Sequence, residues 1–371
     1  MKMKVGVVKE VKVLEGRVSM VPTGVRMLRS KGHEVLVQEG AGLGVGIGDS
    51  DYEEAGATMV PTAEEVWRAA EMVVKVKEPV AEEYDLIQQG QTIYTFFHLA
   101  AVPDLVPVLL SRSVTTVAYE TIQTREGRLP LLQPMSEVAG KMSVQVGASL
   151  LERERGGKGV LLGGVPGVRR GRVVVLGGGI VGTAAAKIAV GLGASVTIID
   201  LSLERLAYLD DIFGARVHLL HSNRDTIAQA VRAADLLVGA VLVPGARAPT
   251  LVDRALVGTM EPGSVIVDVA IDQGGCVETI HATTHREPTY LVDGVIHYGV
   301  TNMPGAVAQT STFALTNATM GYGAMLADLG PLEAAKRCAP LAAGINTHAG
   351  KVTHQVVADA LGVSYSPLFA D

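Results

Sequence analysis

The stretch VVVLGGGIVGTAAAKIAVGLGASVTIID, residues 173–200, decides the fold of this chain. An apolar strand pattern is followed by the spacing G-x-G-x-x-G, formed by Gly177, Gly179 and Gly182, then by a helical pattern and a second apolar strand. In a β-α-β unit the first glycine makes the tight turn, the second lets backbone approach a pyrophosphate, and the third allows close helix and strand packing. The sequence therefore predicts a dinucleotide-binding unit here, with an ordinary tight βα turn as the alternative.

Residues after the glycine loop specify the cofactor. The predicted helix begins with Ile180 and Val181, and the N-terminus of a helix offers amide donors and a positive dipole to a pyrophosphate. Asp200 ends the next strand, where a carboxylate accepts hydrogen bonds from ribose hydroxyls and repels a 2′-phosphate. NAD rather than NADP is the expected cofactor. Arg205, five residues further on, is expected to contact the adenine, with a solvated side chain as the alternative.

Strand and helix patterns alternate in two series, from residue 3 to about 120 and from 172 to about 300. Such alternation predicts parallel sheets with helices on both faces. We expect an α/β fold of two doubly wound, Rossmann-like domains separated by a cleft. Residues 1–130 and 308–371 are expected to form a substrate and catalytic domain, and residues 131–307 an NAD-binding domain.

Composition excludes several classes of partner. The 371 residues carry a formal net charge of −6 and a pI of about 5.9, so no basic surface for nucleic acid is expected. Residues 294–327 contain no Asp, Glu, Lys or Arg, but polar residues such as Asn302 and Gln309 argue against a lipid-facing helix. Cys276 and Cys338 are not spaced as a disulfide framework, which indicates a reducing compartment. We therefore expect a cytoplasmic protein with a small-molecule partner.

A metal site is not expected. His281 and His285 are four residues apart and close to Glu278, which could suggest metal ligands. No cysteine or third histidine completes a convincing set, so structural or surface histidines are the better interpretation. The segment GGKG at 156–159 lacks the spacing and the Ser or Thr of a phosphate-binding P-loop.

Four charged or titratable residues lie at or beyond the ends of apolar strands: Arg17 after the first strand, Lys77 in VKVKEP, His98 in TFFHLA and Asp272 in DVAIDQGG. The carboxyl ends of parallel strands are where open α/β sheets bind ligands. Taken singly, each has an alternative as a solvated charge, a capping or core histidine, or a turn-capping aspartate. Together they predict a site for a small anionic substrate. Lys75, on the same strand face as Lys77, is expected to pack or pair locally.

Nine segments in a fixed order along the chain form a second, more specific pattern. They are KEVK…EGRVSMVP, VKVKEP, FFHLAAVPDL, LLQPMSEVAGKMSVQ, GVLLGGVPGVRRGRVVVLGGGIVG, VGLGASVTIIDL, VLVPGARAPTLV, SVIVDVAIDQGG and TNMPGAVAQTST. These segments resemble those of NAD-dependent alanine dehydrogenases, within the family that also includes the NAD-binding subunit of transhydrogenase. The resemblance implies reversible conversion of L-alanine, NAD⁺ and water into pyruvate, ammonium and NADH by a homohexamer.

The resemblance also implies residue roles. In the family pattern, Arg17 and Lys77 bind the carboxylate and carbonyl region of the substrate, while His98 and Asp272 are the catalytic pair. A further set resembles the family's residues around the nicotinamide and the substrate: Met135, Ser136, Asn302 and Met303.

Two other interpretations share the fold. An NAD-binding hydride-relay subunit of a transhydrogenase would have no small substrate, and its resemblance is carried by Arg, Gln and Asp on the loop matching LLQPMSE. Here that loop contains Gln133 without the Arg or the Asp in that arrangement. A saccharopine-type dehydrogenase would need a pocket for a long substrate.

Overall fold

The computed structural model describes residues 2–241 and 248–369. Two compact units are present: unit 1 combines Met1–Met135 with Gly305–Asp371, and unit 2 is Ser136–Pro304. Each unit contains a doubly wound sheet, so the predicted fold class is confirmed. Residues 242–247, which belong to the segment VLVPGARAPTLV, lie outside the described residues.

Unit 1 begins with alternating strands and helices. In chain order they are β1 (Lys4–Val7), α1 (Pro22–Ser30), β2 (Glu34–Gln38), α2 (Asp49–Glu54), β3 (Thr58–Val60), α3 (Ala63–Ala69), β4 (Met72–Val74), β5 (Thr92–Thr95), α4 (Leu105–Ser111) and β6 (Thr115–Ala118). Helix α5 (Gln133–Leu150) follows, and the boundary between the units falls within it.

Unit 2 continues the alternation. Its elements are β7 (Arg172–Leu176), α6 (Ile180–Gly191), β8 (Ser195–Asp200), α7 (Leu203–Phe213), β9 (Val217–His221), α8 (Arg224–Ala233), β10 (Leu236–Gly239), α9 (Arg254–Val257), β11 (Val265–Asp268), β12 (Thr289–Val292) and β13 (Val295–Tyr298). The chain then returns to unit 1 through α10 (Ala308–Leu329), α11 (Pro331–Arg337), α12 (Ala339–Gly344), β14 (Ile345–His348), β15 (Lys351–Val352) and α13 (Gln355–Leu361).

Within the described residues, unit 1 has an eight-stranded sheet in the order β15-β14-β6-β5-β4-β1-β2-β3. Strands β1 to β6 pair in parallel, whereas β14 and β15 are added antiparallel at the β6 edge. Parallel pairing brings the carboxyl ends of β1, β4 and β5, three neighbouring strands, to the same edge. The loops that carry Arg17, Lys77 and His98 therefore leave the sheet side by side.

The sheet of unit 2, counted over its described residues, has seven strands in the order β12-β13-β11-β10-β7-β8-β9. All neighbours are parallel except β12 and β13. Strand β7 is buried from Val173 to Leu176 because helices cover both faces of a doubly wound sheet. Strand order reverses at β7, between β8 and β10, and ligands of such sheets bind at this point of reversal.

No helix in the ranges 2–241 and 248–369 has both the length and the apolar character needed to cross a membrane. Helix α10 buries hydroxyl side chains, among them Ser311, Thr312, Thr316 and Thr319.

Candidate active site

The glycine loop between β7 and α6 has the shape that the spacing predicts. Gly177 adopts a left-handed φ of +96°, and its N–H bonds to Ile199 O at 2.8 Å. A Cβ atom on Gly182 would lie 1.8 Å from Gly177 O, so only glycine allows α6 to pack this closely on the loop. A Cβ on Gly179 would meet no heavy atom within 4 Å. The loop is thus tight on its inner side and open at the start of α6, which fits a pyrophosphate.

Asp200 lies at the end of β8 beside this loop. Its Oδ2 accepts a hydrogen bond from Gly178 N at 2.6 Å, and its Oδ1 accepts one from Ser202 N at 2.8 Å. Each carboxylate oxygen has a second lone pair for a ligand hydroxyl. The carboxylate is therefore both a support of the glycine loop and a fixed negative charge beside it.

Arg205 contacts the loop itself. Its Nε donates to Gly178 O at 2.6 Å, and its Nη2 donates to Thr183 Oγ1 at 2.8 Å. The guanidinium also lies 4.6 Å from the ring centroid of Tyr208, a cation–π contact. The side chain is thus bonded to protein groups, and it ties α7 to the carbonyl oxygens of the glycine loop.

Asp272 is exposed in the 3₁₀ turn Val269–Gln273 that follows β11. The buried carboxylate of Asp268 shapes this segment, because it accepts hydrogen bonds from Ala270 N at 3.0 Å, Cys276 N at 2.7 Å and Val277 N at 3.2 Å. Burial raises the pKa of Asp268, against the lowering effect of these N–H donors. Sequence reasoning missed Asp268. The available signal was a charged residue at the end of an otherwise apolar strand.

Glycines make room for the Asp268 carboxylate. A Cβ on Gly239, at the end of β10, would lie 2.4 Å from Asp268 Oδ1, and one on Gly275 would lie 2.9 Å from Oδ2. Gly275 also has a left-handed φ of +77°. The segment from β11 to Cys276 is therefore packed around a single carboxylate.

The remaining predicted cofactor contacts of unit 2 occupy separate elements. Ser136 is half-buried in the first turn of α5. Asn302 has a left-handed φ of +60°, and its carbonyl oxygen accepts a hydrogen bond from His285 Nε2 at 3.1 Å. Met303 follows and is buried. Asn302 thus adopts the left-handed conformation that asparagine tolerates better than most residues, and its carbonyl oxygen is bonded by a histidine from another loop.

The two histidines considered as metal ligands have other contacts. The His281 ring stacks on Tyr290 with centroids 3.7 Å apart, and His285 bonds to the backbone. Among residues 2–241 and 248–369, no group of three or more His, Cys, Asp or Glu side chains is placed to hold a metal ion.

Arg17, in unit 1, is buried. Its Nε donates to Glu15 Oε1 at 2.6 Å and its Nη2 to Glu15 Oε2, so the carboxylate and guanidinium form a bidentate pair. Nη1 donates to Met135 Sδ at 3.3 Å. The alternative of a solvated charge is therefore wrong for Arg17, whose guanidinium plane is fixed by its neighbours.

The two lysines after β4 differ in burial. Lys75 is fully buried, with Nζ 2.8 Å from Glu83 Oε1 and 3.5 Å from Glu10 Oε2, which confirms local pairing. Burial favours the neutral amine, but the charges of Glu10 and Glu83 outweigh it and raise the pKa of Lys75. Lys77 is half-buried beyond the strand, and its backbone N–H lies 3.4 Å from Glu10 Oε1.

His98 lies three residues beyond β5, exposed and in a left-handed conformation with φ +49°. Glu120 holds this turn, because its carboxylate accepts hydrogen bonds from His98 N at 2.6 Å and Phe97 N at 3.2 Å. The imidazole lies parallel to the Phe96 ring, with centroids 5.8 Å apart. His98 is therefore not a core histidine. Its backbone is fixed while its ring faces solvent.

Two family models match the chain. The model described as "Alanine dehydrogenase/PNT, N-terminal domain" matches residues 6–139, and the one described as "Alanine dehydrogenase/PNT, C-terminal domain" matches residues 143–355. The chain belongs to the alanine dehydrogenase/PNT family. The resemblance inferred from the nine sequence segments is therefore confirmed.

Individual members of the alanine dehydrogenase/PNT family are similar over the full length. An alanine dehydrogenase of Methanococcus maripaludis is 56% identical over 366 residues, covering 98% of both chains. A solved structure named L-alanine dehydrogenase matches with a TM-score of 0.94 at 55% identity, covering 97% of this chain and 99% of that one. The crystal structure of transhydrogenase from Sinorhizobium meliloti matches with a TM-score of 0.80 at 26% identity, covering 95% and 99%.

Proposed function

We propose that the chain catalyses the reversible, NAD-dependent oxidative deamination of L-alanine to pyruvate and ammonium. The observation that carries this proposal is the 56% identity to an alanine dehydrogenase over 98% of both chains. That likeness runs through both units rather than through the nucleotide-binding unit alone. The fold by itself would not distinguish one substrate from another.

The geometry of unit 2 supports NAD as the cofactor. Gly177, Gly179 and the first turn of α6, with Ile180 and Val181, would hold the pyrophosphate, and Asp200 would hold the adenosine ribose. Arg205 would act on the cofactor through the glycine loop that it contacts. Further residues proposed to surround the nicotinamide are Ser136, Asn302 and Met303. When bound, NAD accepts the hydride that leaves Cα of alanine.

Unit 1 supplies the proposed substrate contacts. Arg17 and Lys77 would bind the carboxylate and carbonyl region of alanine or pyruvate through charge-assisted hydrogen bonds. Loss of hydride leaves an iminium, which water attacks to give a carbinolamine that then loses ammonia. His98 would take a proton from the carbinolamine oxygen and return it in the reverse direction. Asp272 would stabilise the iminium charge and orient water or ammonia.

Cellular setting and assembly are part of the proposal. We infer a cytoplasmic enzyme because both cysteines, Cys276 and Cys338, are free. A homohexamer is proposed on the family resemblance, and light scattering on the purified protein would measure its mass.

The substrate is tested by NADH formation with L-alanine, L-serine, glycine and L-lysine. We expect L-alanine to give the highest kcat/KM and pyruvate with ammonium to support the reverse reaction. Preference for L-lysine would favour a saccharopine-type enzyme. Hydride exchange between two nucleotides with no turnover of any amino acid would favour a transhydrogenase relay, and either result would reject the proposal.

The proton-transfer role is tested with His98→Gln, which keeps the size of the side chain and some hydrogen bonding but removes the titrating ring. We expect kcat for pyruvate reduction to fall by about 10² or more, the usual contribution of a positioned acid or base. The Kd for NADH, measured by fluorescence titration, should not change. The exposed residue His218 on β9 provides a control, since His218→Gln should keep wild-type turnover. A His98→Gln enzyme within about tenfold of wild type, with the same pH profile, would contradict the role.

A further inference from the structure

Beyond Val74, the chain that continues β4 has a neighbouring strand on the β5 side only. Strand β1 pairs with β4 as far as Val74, and β5 continues beyond, since Lys75 N donates to Tyr94 O at 3.1 Å. On the β1 side, the next N–H donor is that of Val76, and β1 offers it no carbonyl acceptor. It donates instead to Glu10 Oε1 at 2.6 Å. The Glu10 carboxylate thus takes the place of a backbone carbonyl and extends the sheet by one hydrogen bond.

Glu10 is itself held by charge. Its side chain is buried, and Lys75, with no exposed surface, lies between it and Glu83. An isolated carboxylate is costly to bury, whereas one paired with an ammonium group and bonded to an N–H is stable. We call these three residues, Glu10, Lys75 and Glu83, the buried cluster.

The buried cluster connects directly to the proposed substrate contacts. The oxygen of Glu10 that accepts from Val76 N also lies 3.4 Å from Lys77 N. At the same strand end, Ser19 Oγ donates to Val74 O at 2.8 Å, which ties the loop of Arg17 to β4. The peptide between Val76 and Lys77 is therefore held from two sides: Phe96 N donates to Val76 O at 3.3 Å on the β5 side, and the Glu10 carboxylate accepts from Lys77 N on the other.

We propose that Glu10 is a positioning residue for substrate binding. Its carboxylate holds the backbone at Val76 and Lys77 so that the Lys77 ammonium group is presented to the carboxylate of pyruvate or alanine. Lys75 has no contact with substrate in this scheme, and its role is to keep Glu10 ionised and in place. The proposal rests on the substrate role given above to Lys77.

Glu10→Ala tests the proposal. Loss of a hydrogen bond to a charged group should raise KM for pyruvate by about tenfold or more. The value of kcat should stay within about threefold, and the Kd for NADH within about twofold, because neither depends on the substrate carboxylate. Glu10→Gln, which keeps the oxygen acceptor but not the ion pair with Lys75, should raise KM by about threefold or more.

A double-mutant cycle separates positioning from general support of unit 1. If Glu10 acts through Lys77, adding Glu10→Ala to Lys77→Ala should raise KM by less than about threefold further. Additive losses, or parallel losses of NADH affinity, would overturn the proposal. A KM for pyruvate within about threefold of wild type in Glu10→Gln would also overturn the proposal. This second variant keeps the test available if Glu10→Ala does not fold.

The matched control is Asp328→Asn, which removes a carboxylate from another charged cluster of unit 1. Asp328 accepts hydrogen bonds from His33 Nε2 at 2.9 Å and from Lys31, near the amino end of β2. The KM of the Asp328→Asn enzyme for pyruvate should equal that of wild type. A wild-type enzyme with no turnover of alanine or pyruvate would instead reject the proposed function.

Discussion

The guanidinium of Arg17 and the backbone N–H of His98 are both bound by carboxylates that lie outside the strands. A carboxylate is bonded at or beside each of the four residues proposed to handle substrate, and only that of Asp268 belongs to a strand. The pairs are Glu15 with Arg17, Glu10 with the backbone of Lys77, Glu120 with the backbone of His98, and Asp268 with the turn that carries Asp272. Hydrogen bonds to a carboxylate are stronger than those between neutral groups. Loop residues are thereby held in place without a regular element.

Asp200 is the residue on which cofactor choice depends. We expect wild type to prefer NAD strongly and Asp200→Ala to reduce the ratio of kcat/KM for NAD to that for NADP by about tenfold or more, since repulsion of the 2′-phosphate is removed. Affinity for NAD should also fall, because Gly178 N and Ser202 N lose their acceptor. Steady-state kinetics with both cofactors measures the ratio.

Asp210 on α7 gives the control for this change of charge. It is exposed, and Asp210→Ala alters the net charge by the same amount without touching the glycine loop. Its cofactor ratio should match wild type. Equal use of NAD and NADP by the unmutated enzyme would be inconsistent with the role of Asp200.

At the scale of the element, the contact between α6 and the loop before it sets nucleotide binding. Gly182→Ala would place a Cβ 1.8 Å from Gly177 O, so helix and loop must separate. We expect the Kd for NADH to rise by about tenfold or more, together with a loss of stability of about 1 to 3 kcal/mol from overpacking. Fluorescence titration and thermal unfolding measure the two effects.

Gly191 lies in the same helix and provides the matched substitution. A Cβ there meets no heavy atom within 4 Å, and because Gly191 is the last residue of α6, Gly191→Ala should change the free energy of unfolding by less than about 0.5 kcal/mol. NADH affinity should be unaltered. Similar nucleotide affinity in Gly182→Ala and wild type would show that close packing at Gly182 is not required.

Strands and helices could be predicted where the sequence pattern that specifies them lies within a single short segment of the chain. The segment 173–200 contains strand, loop, helix and strand within 28 residues, and all four appear as predicted. Strands β3, β12, β14 and β15 were not predicted from the sequence. They are short, and β14 and β15 carry polar residues such as Asn346 and Thr347 whose burial depends on pairing with β6. Such strands are defined by partners far along the chain rather than by their own pattern.

At the scale of the whole molecule, the same reasoning explains which site residues could be found. Charged residues at strand ends were visible in the sequence. The carboxylates that position them were not, because Glu10 and Val76 are 66 residues apart and Glu120 and His98 are 22 apart. Only folding of the sheet brings these groups together. Hydrogen-bond partners at such separations leave no periodic signal.

The stability of unit 2 in acid depends on one buried carboxylate, that of Asp235, which joins three segments of the unit. Asp235 accepts hydrogen bonds from Arg169, Lys158 and Arg172 N. Burial opposes ionisation of Asp235, but the bonds from Arg169 and Lys158 outweigh it and lower its pKa to about 2. A pKa below the ordinary 3.8 means that the carboxylate stabilises the folded state above about pH 4 and loses this effect as the pH falls toward 2.

Asp235→Asn should therefore lower the free energy of unfolding at pH 7 by about 2 kcal/mol, from the pKa difference. The difference in free energy of unfolding between Asp235→Asn and wild type should become smaller as the pH falls from 4 to 2. Urea unfolding followed at several pH values measures it. Asp253→Asn, which keeps a cap for Leu256 N, should differ little from wild type at any pH. A gap for Asp235→Asn that does not vary with pH would contradict the assignment.

Because unit 1 is formed from two separate parts of the chain, its sheet cannot be completed until unit 2 has been synthesised. Strand β6 ends at Ala118, but its neighbour β14 begins at Ile345, after all of unit 2 has been made. At ribosomal rates the gap lasts roughly 10 to 45 s. During that time β6 is an uncovered strand edge, the type of surface that pairs with other chains. A nascent chain should therefore need chaperone protection at the edge of β6 until β14 emerges and pairs with it.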